Sequence, residues 1–493
     1  MAFIPSKYQK TVYTYIRIGK GNAVIDAVAG SGKSTTIVNA LKQIPSDKRV
    51  LFLAFNKAIV EELKIKIGNL PNVDIKTLHS LGASLCMRNL NCQIQDDKYK
   101  VWVNNGVNYS NLVPNIPLPD EQMGAWKQNI LKLIDLGRVN LVKTADELEV
   151  LSYKHDIDLL DNEADLAVKG IQWGEREMQT IDFTDMIYFP NVKQLRIFKY
   201  DWVFIDECQD LNAAQRELFL KCVKPNGGRF VAVGDPRQAI YGFAGADVES
   251  FNLLKKIPNT VKLPLSVCYR CDEEIINLAK GIVPQIEARD GAPSGTVNRE
   301  ATLAEIQDGD MVLCRLSAPL VKLCMKYIGS GVKAYVKGRD IGTNLINMIK
   351  KTNRKQIKDV EERLQKELSR IIGKVVTRQK CTEKEAKESD VYKNYEDKVI
   401  AISVLSEGLQ TAQEVIDRID TIFSDGNKSG ICLSTIHKSK GLEADRVFII
   451  CEDKLWFKPC MNVPWMAEQE SNLVYVAYTR AKHYLGFVKD FVA

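Results

Sequence analysis

Ala27-Val28-Ala29-Gly30-Ser31-Gly32-Lys33-Ser34 is the stretch that decides the fold. It follows an apolar run at residues 24–28 and opens a helical pattern at Lys33. Gly30 and Gly32 let the backbone bend so that successive N–H groups face one point. The start of a helix adds positive potential there. Such a cradle suits phosphate. Lys33 would reach the β- and γ-phosphates of a nucleotide, and the Ser34 hydroxyl would bind Mg2+. Ala29, Ser31 and Thr35 complete the loop around the candidate ATP site. The usual first glycine of this loop is Ala27 here, a small residue and a tolerable change. A glycine-rich turn without function is the plainer reading, and the strand before it and helix after it argue against that.

Downstream, the apolar run Trp202-Val203-Phe204-Ile205 ends in Asp206-Glu207. Asp206 is placed to hold Mg2+, and Glu207 to orient or deprotonate an attacking water. Further strand-like runs fall at 49–55, 230–233 and 260–263, with a helical pattern at 57–67. This alternation predicts a parallel sheet flanked by helices. The rhythm breaks from about 91 to 179, where Trp102, Trp126, Trp173 and a proline cluster occur and helical periodicity follows Asp120. A second α/β region opens near Leu265 and includes the run at 311–314. A proline-free, charge-rich stretch interrupts it at 345–427 and reads as amphipathic helices. That stretch is either a solvated subdomain or one that touches nucleic acid or a partner. The strand signal resumes at 430–434 and 446–451. The expected architecture is two α/β lobes, each with a helical insertion.

The bulk properties set outer limits. A chain of 493 residues is too long for one ordinary core. Hydrophobic residues at 45% and charged residues at 26% describe a globular protein. The net charge of +6 suits a nucleic-acid partner without establishing one. The N-terminal MAFIPSKYQK does not read as a secretory signal, and no apolar run is long enough to span a membrane. Twelve cysteines without framework spacing fit a reducing compartment. Cys268 and Cys271 have CxxC spacing, but no second ligand pair for zinc is evident, so incidental thiols are the favoured reading.

Several further motifs stand in a fixed order. They are Pro5-Ser6-Lys7-Tyr8-Gln9, Leu53-Ala54-Phe55-Asn56-Lys57, Thr77-Leu78-His79-Ser80 and Asp182-Phe183-Thr184-Asp185. Asp206-Glu207-Cys208-Gln209-Asp210 and Gly234-Asp235-Pro236-Arg237-Gln238-Ala239-Ile240-Tyr241 follow. Then come Cys268-Tyr269-Arg270-Cys271, the run from Thr435 through His437 and Lys440-Gly441 to Glu443, and Val476-Ala477-Tyr478-Thr479-Arg480-Ala481. With this set the chain resembles superfamily 1 DNA helicases of the UvrD/Rep type over nearly its whole length. The wording also has a weak similarity to the phage-encoded and Fbh1-like branches.

The resemblance implies two RecA-like P-loop NTPase lobes. The first would take residues 1–90 and 180–264, with a helical insertion at 91–179. The second would take 265–344 and 428–493, with a charged helical insertion at 345–427. It implies that Gln9 reads adenine, Tyr269 stacks on it and Glu443 binds the ribose. Gln238 would sense the γ-phosphate, and Arg270 and Arg480 would act as arginine fingers on it. A planar, permanently charged guanidinium suits charge spread over a transferring phosphoryl group. Closure and opening of the lobes would then be the stroke.

Nonspecific grip on a single strand needs cations for phosphates and aromatic faces for bases. Phe55, Tyr241 and Phe243 are the aromatic candidates, and Asn56, Lys57, Thr77, His79, Thr435 and His437 the polar ones. The family's usual arginine after the second aromatic is Ala244 here, which removes a cation that could link strand and nucleotide. The implied function is ATP-dependent movement along single-stranded DNA, 3′ to 5′, with unwinding at single/double-strand junctions. Three other readings stay open: a translocase that strips proteins or remodels recombination intermediates, an ATP-switched binding module, and an RNA substrate. The resemblance further implies a monomer without a membrane partner, and loading, replication or recombination proteins as partners. The setting would be the cytoplasm of a bacterial or phage-infected cell, or the nucleus in a eukaryote.

Overall fold

The computed structural model describes residues 4–68, 70–106, 120–155, 157, 159, 162–240, 249–379, 381–424, 429–456 and 464–491. The chain divides into two compact units. One holds Met1–Ala27 and Gly32–Leu265, the other Val28–Ser31 and Ser266–Ala493.

In the first unit, strands β1 (Asn22–Ala27), β2 (Val50–Ala54), β3 (Val73–Thr77), β4 (Trp202–Ile205), β5 (Arg229–Gly234) and β6 (Thr260–Leu265) form one sheet. Its order is β3-β2-β4-β5-β1-β6, and every pairing is parallel. Side chains along a strand point alternately to the two faces. Phe52, Phe204 and Val231 therefore lie in one buried cluster, and Leu51, Leu53, Val203 and Ile205 in another on the opposite face. A sheet covered on both faces has no polar side, which is why the inner strands β2, β4 and β5 read as apolar runs. The helices α1 (Lys7–Ile18), α2 (Lys33–Leu41), α3 (Lys57–Ile67) and α4 (Leu78–Leu90) have local reasons to start where they do. Ser6 with Gln9 and Thr77 with Ser80 form capping boxes, and Asn56 caps α3.

Helices α5 (Asp120–Asn140), α6 (Ala145–Lys154) and α7 (Glu163–Arg176) occupy the first interruption. Their apolar cluster includes Trp126, Ile130, Leu133, Ile134 and Ile171. It also takes in Cys86 from α4 and Met186, Tyr188 and Phe189 from α8 (Asp185–Val192). The insertion thus shares its core with the flanking helices.

The second unit contains β7 (Thr296–Ala301), β8 (Met311–Cys314), β9 (Ala334–Lys337), β10 (Phe423–Ser424), β11 (Ile431–Thr435), β12 (Ala444–Ile449) and β13 (Ala481–Val488). They form an all-parallel sheet in the order β7-β13-β12-β8-β11-β9-β10. The two parallel sheets confirm the α/β class. The charged region is helical from Arg339, not from 345, because Gly338 at φ 121° ends β9 and α9 (Arg339–Lys351) begins there. It also returns to the sheet earlier than 427, through the edge strand β10. Its helices α10 (Ile357–Gln379), α11 (Asp390–Ser406) and α12 (Ala412–Ile422) are packed rather than merely solvated. Val360, Leu364, Leu368, Ile402, Leu405, Val415 and Ile419 share one buried cluster with Val312 and Leu433 of the sheet. The helix-period spacing of 360, 364 and 368 puts those residues on one face, leaving the charges for the other. No helix among the described residues is long and apolar enough to cross a membrane.

Candidate functional site

Parallel strands carry their C-terminal ends to one edge of the first sheet, and the loops there hold the candidate residues. Between β1 and α2 the chain passes through Gly30 at φ 65° and Gly32 at φ 71°, a region that side chains disfavour. Lys33 is the first residue of α2. The Ser31 hydroxyl is buried and finds no hydrogen-bond partner among the described residues. An orphaned hydroxyl in a bent, glycine-built loop is a group waiting for an oxygen-rich ligand. Ser34 and Thr35 follow on the first turn, both half-buried.

Asp206 and Glu207 leave the end of β4. The Asp206 amide donates to the Leu53 carbonyl at 3.1 Å, which extends the sheet pairing one residue further. Glu207 takes the left-handed conformation at φ 51°, which a residue with a side chain adopts at some cost. Its carboxylate accepts from Lys33 Nζ at 2.7 Å. Burial alone would lower the Lys33 ammonium's pKa, but Glu207, Asp206 and Asp235 outweigh it and hold it above the usual lysine value. Burial and the adjacent Glu207 carboxylate push Asp206 upward, against the pull of Lys33. Burial lifts Asp235 to about 6. These acids around one ammonium keep charge of both signs out of water at the strand ends.

Gln238 lies on a single 3-10 turn after β5, where its amide donates to Asp235 Oδ2 at 2.7 Å. Gln209, in the turn after Glu207, donates to Glu207 Oε2 at 2.6 Å and accepts the Asp235 amide at 3.1 Å. Neither Gln209 nor Asp235 has a sequence-assigned role, although both stand inside quoted motifs. The available signal was their position shortly beyond a strand end, four residues for Gln209 and one for Asp235. Gln9 is buried, its side chain accepts from the Ser6 amide and donates to Thr36 Oγ1 at 3.0 Å. That places it beside the first turn of α2.

The strand candidates of this unit fall into two groups. Phe55 is 52% exposed, at the β2 end, and Asn56 and Lys57 are exposed beside it. Thr77 is the cap of α4, while His79 lies with its ring centroid 4.6 Å from that of Phe183. Burial lowers the His79 pKa, so it stays neutral near pH 7. Phe183 is exposed although both acids of its motif are buried, a contrast that sequence reading missed. Tyr241, Phe243 and Ala244 lie outside the described residues.

In the second unit, Tyr269 is 36% exposed. Arg270 donates from Nε to Glu443 at 2.7 Å and from Nη1 to the Thr479 carbonyl at 3.1 Å. Against the effect of burial, Arg270 and Lys482 hold Glu443 below the usual carboxylate range. Arg480 is buried, with its guanidinium donating to the Val476 and Leu442 carbonyls. Thr435 caps a short helix, and the half-buried His437 is pushed down to about 3 by burial and by Arg315 and Lys438. Cys268 and Cys271 are both buried, with the Cys271 amide donating to Cys268 Sγ at 3.5 Å. Among the described residues no group of three or more His, Cys, Asp or Glu side chains is arranged for a metal.

The profile of the UvrD/REP helicase N-terminal domain matches residues 8–259, and that of the UvrD-like helicase C-terminal domain matches 430–488. The chain is 25% identical to F-box DNA helicase protein 1 of Schizosaccharomyces pombe, over 93% of this chain and 54% of that protein. It is 26% identical to the ATP-dependent DNA helicase PcrA of Bacillus subtilis, over 60% of this chain and 42% of that one. With the ATP-dependent DNA helicase Rep of Buchnera aphidicola it shares 24% identity, over 54% of this chain and 44% of the relative. The chain spans about half the length of the curated relatives it matches.

Proposed function

The chain belongs to the UvrD/REP helicase family, and from that premise we propose that it hydrolyses ATP to move along single-stranded DNA and part a duplex. The observation that carries the reading is the gathering of Lys33, Asp206, Glu207, Asp235 and Gln238 at the strand ends of one sheet. Lys33 binds the terminal phosphates, exchanging its contact with Glu207 for theirs. Ser34 and Asp206 would hold Mg2+, which would supply charge neutralisation on those phosphates when bound. Glu207, freed from Lys33, orients water and takes its proton. Gln238 senses the terminal phosphate, Gln9 and Tyr269 hold the base, and Glu443 the ribose. Arg270 and Arg480 stabilise the charge that develops on the transferring phosphoryl group. The ion pair of Arg270 with Glu443 gives way when the phosphate arrives. Lobe closure and opening turn the hydrolysis cycle into steps of 3′ to 5′ polarity.

Phe55 supplies a base-stacking face, and Asn56, Lys57, Thr77, His79, Thr435 and His437 polar contacts to the strand. Tyr241 and Phe243 are further stacking candidates by the resemblance. The test is ATP hydrolysis without nucleic acid, with single-stranded DNA and with single-stranded RNA, using Glu207→Gln as the blank. Stimulation by DNA that is lost in the variant is the expected result. Equal rates in all three conditions would reduce the protein to a nucleotide-dependent switch.

A further inference from the structure

Glu207 and Gln238 follow different strands of the sheet, yet Gln209 and Asp235 link them. Gln209 is 1% exposed and lies in a single turn, Cys208–Asp210. Its carboxamide oxygen accepts the Asp235 N–H at 3.1 Å. Its nitrogen faces two carboxylates, Glu207 Oε2 at 2.6 Å and Asp210 Oδ2 at 3.3 Å. A backbone donor on one side and acceptors on the other leave a single orientation for the amide. Gly234 makes room for it: a Cβ there would meet the Gln209 oxygen at 2.4 Å. Asp235 in turn holds the Gln238 amide through Oδ2 at 2.7 Å and the Arg237 N–H through Oδ1 at 3.0 Å. The chain of contacts runs Glu207, Gln209, Asp235, Gln238 without a gap.

We propose that Gln209 is a positioning residue that fixes the rotamer of Glu207 and ties it to the turn carrying Gln238. It rests on the reading of Glu207 as the group that activates water. The amide occupies one carboxylate oxygen, which leaves the other for Lys33 before the phosphate binds and for water afterwards. A shift of Gln238 toward a terminal phosphate moves Asp235, whose N–H is anchored on Gln209. The base is therefore aligned only when the sensor turn is in place.

The test is steady-state ATP hydrolysis by the whole chain carrying Gln209→Glu or Gln209→Met, with binding of a fluorescent ATP analogue measured alongside. Gln209→Glu keeps the acceptor for Asp235 and loses the donor to Glu207. Gln209→Met loses both at similar volume and answers the question if the charged variant does not fold. In both, kcat is expected to fall on the order of ten- to a hundred-fold while KM and analogue binding stay within about twofold. Near-wild-type kcat in both variants, or a fall in kcat accompanied by a raised KM and weaker analogue binding, overturns the role of Gln209. A wild-type chain without ATP hydrolysis instead sinks the reading of the whole site.

Discussion

At the scale of single residues, the site is a problem of charge kept out of water. Asp235 is 1% exposed and its pKa is lifted from 3.8 to about 6 by burial. Between those values the folded chain binds a proton that the unfolded chain does not. Stability from this group therefore rises as pH falls through about 6 and is lost as pH rises above it. Asp235→Asn removes the titration. Wild type should gain on the order of 1 kcal/mol relative to the variant between pH 7 and pH 5. Urea unfolding of the nucleotide-free protein at both pH values measures it, and a gap that is flat or runs the other way counts against the assignment. The sequence pointed to Lys33, Asp206 and Glu207 through strand-end chemistry. It carried no signal for the 2.7 Å pairing of Lys33 with Glu207 or for the left-handed backbone at Glu207.

At the scale of elements, a buried charge network joins the first helical insertion to the helix that follows it. Arg138 of α5 donates to Asp182 at 2.7 and 2.8 Å and to Asp185 at 2.8 Å, and Lys98 donates to Asp185 at 2.8 Å. Arg138, Lys98 and Asp185 have no exposed side-chain surface. Replacing the network with apolar residues could be neutral, but removing one partner leaves charge buried and unpaired. Arg138→Met is expected to cost about 3–5 kcal/mol in chemical denaturation. A loss under about 1 kcal/mol would mean that water reaches the acids. The helices themselves were legible because caps and apolar spacing are local. Where the reading slipped, at the start of α9 and the edge strand β10, the deciding facts were the break at Gly338 and a pairing with β9. The charge-rich composition of α10–α12 likewise hid a buried face that shares its cluster with the sheet.

At the scale of the whole molecule, polarity is the open property with the clearest readout. A duplex with a 3′ single-stranded tail should be unwound with ATP, and one with a 5′ tail should not. Displacement of streptavidin from a biotinylated strand end, without unwinding of either duplex, would favour a translocase that strips proteins. Sequence by itself determined the α/β class, the parallel sheets and the family, because a phosphate loop, a strand ending in two acids and apolar runs are local patterns. It also singled out the residues to which we assign the chemistry. Only the tertiary structure decided which charged and polar groups meet: Lys33 with Glu207, Arg138 with Asp182 and Asp185, Gln209 with the Asp235 N–H. Each of those pairings joins separate segments of the chain. A charged or polar group's partner is chosen by which elements pack together and how far they exclude water, and that is fixed by the sum of many burials rather than by any one stretch of chain.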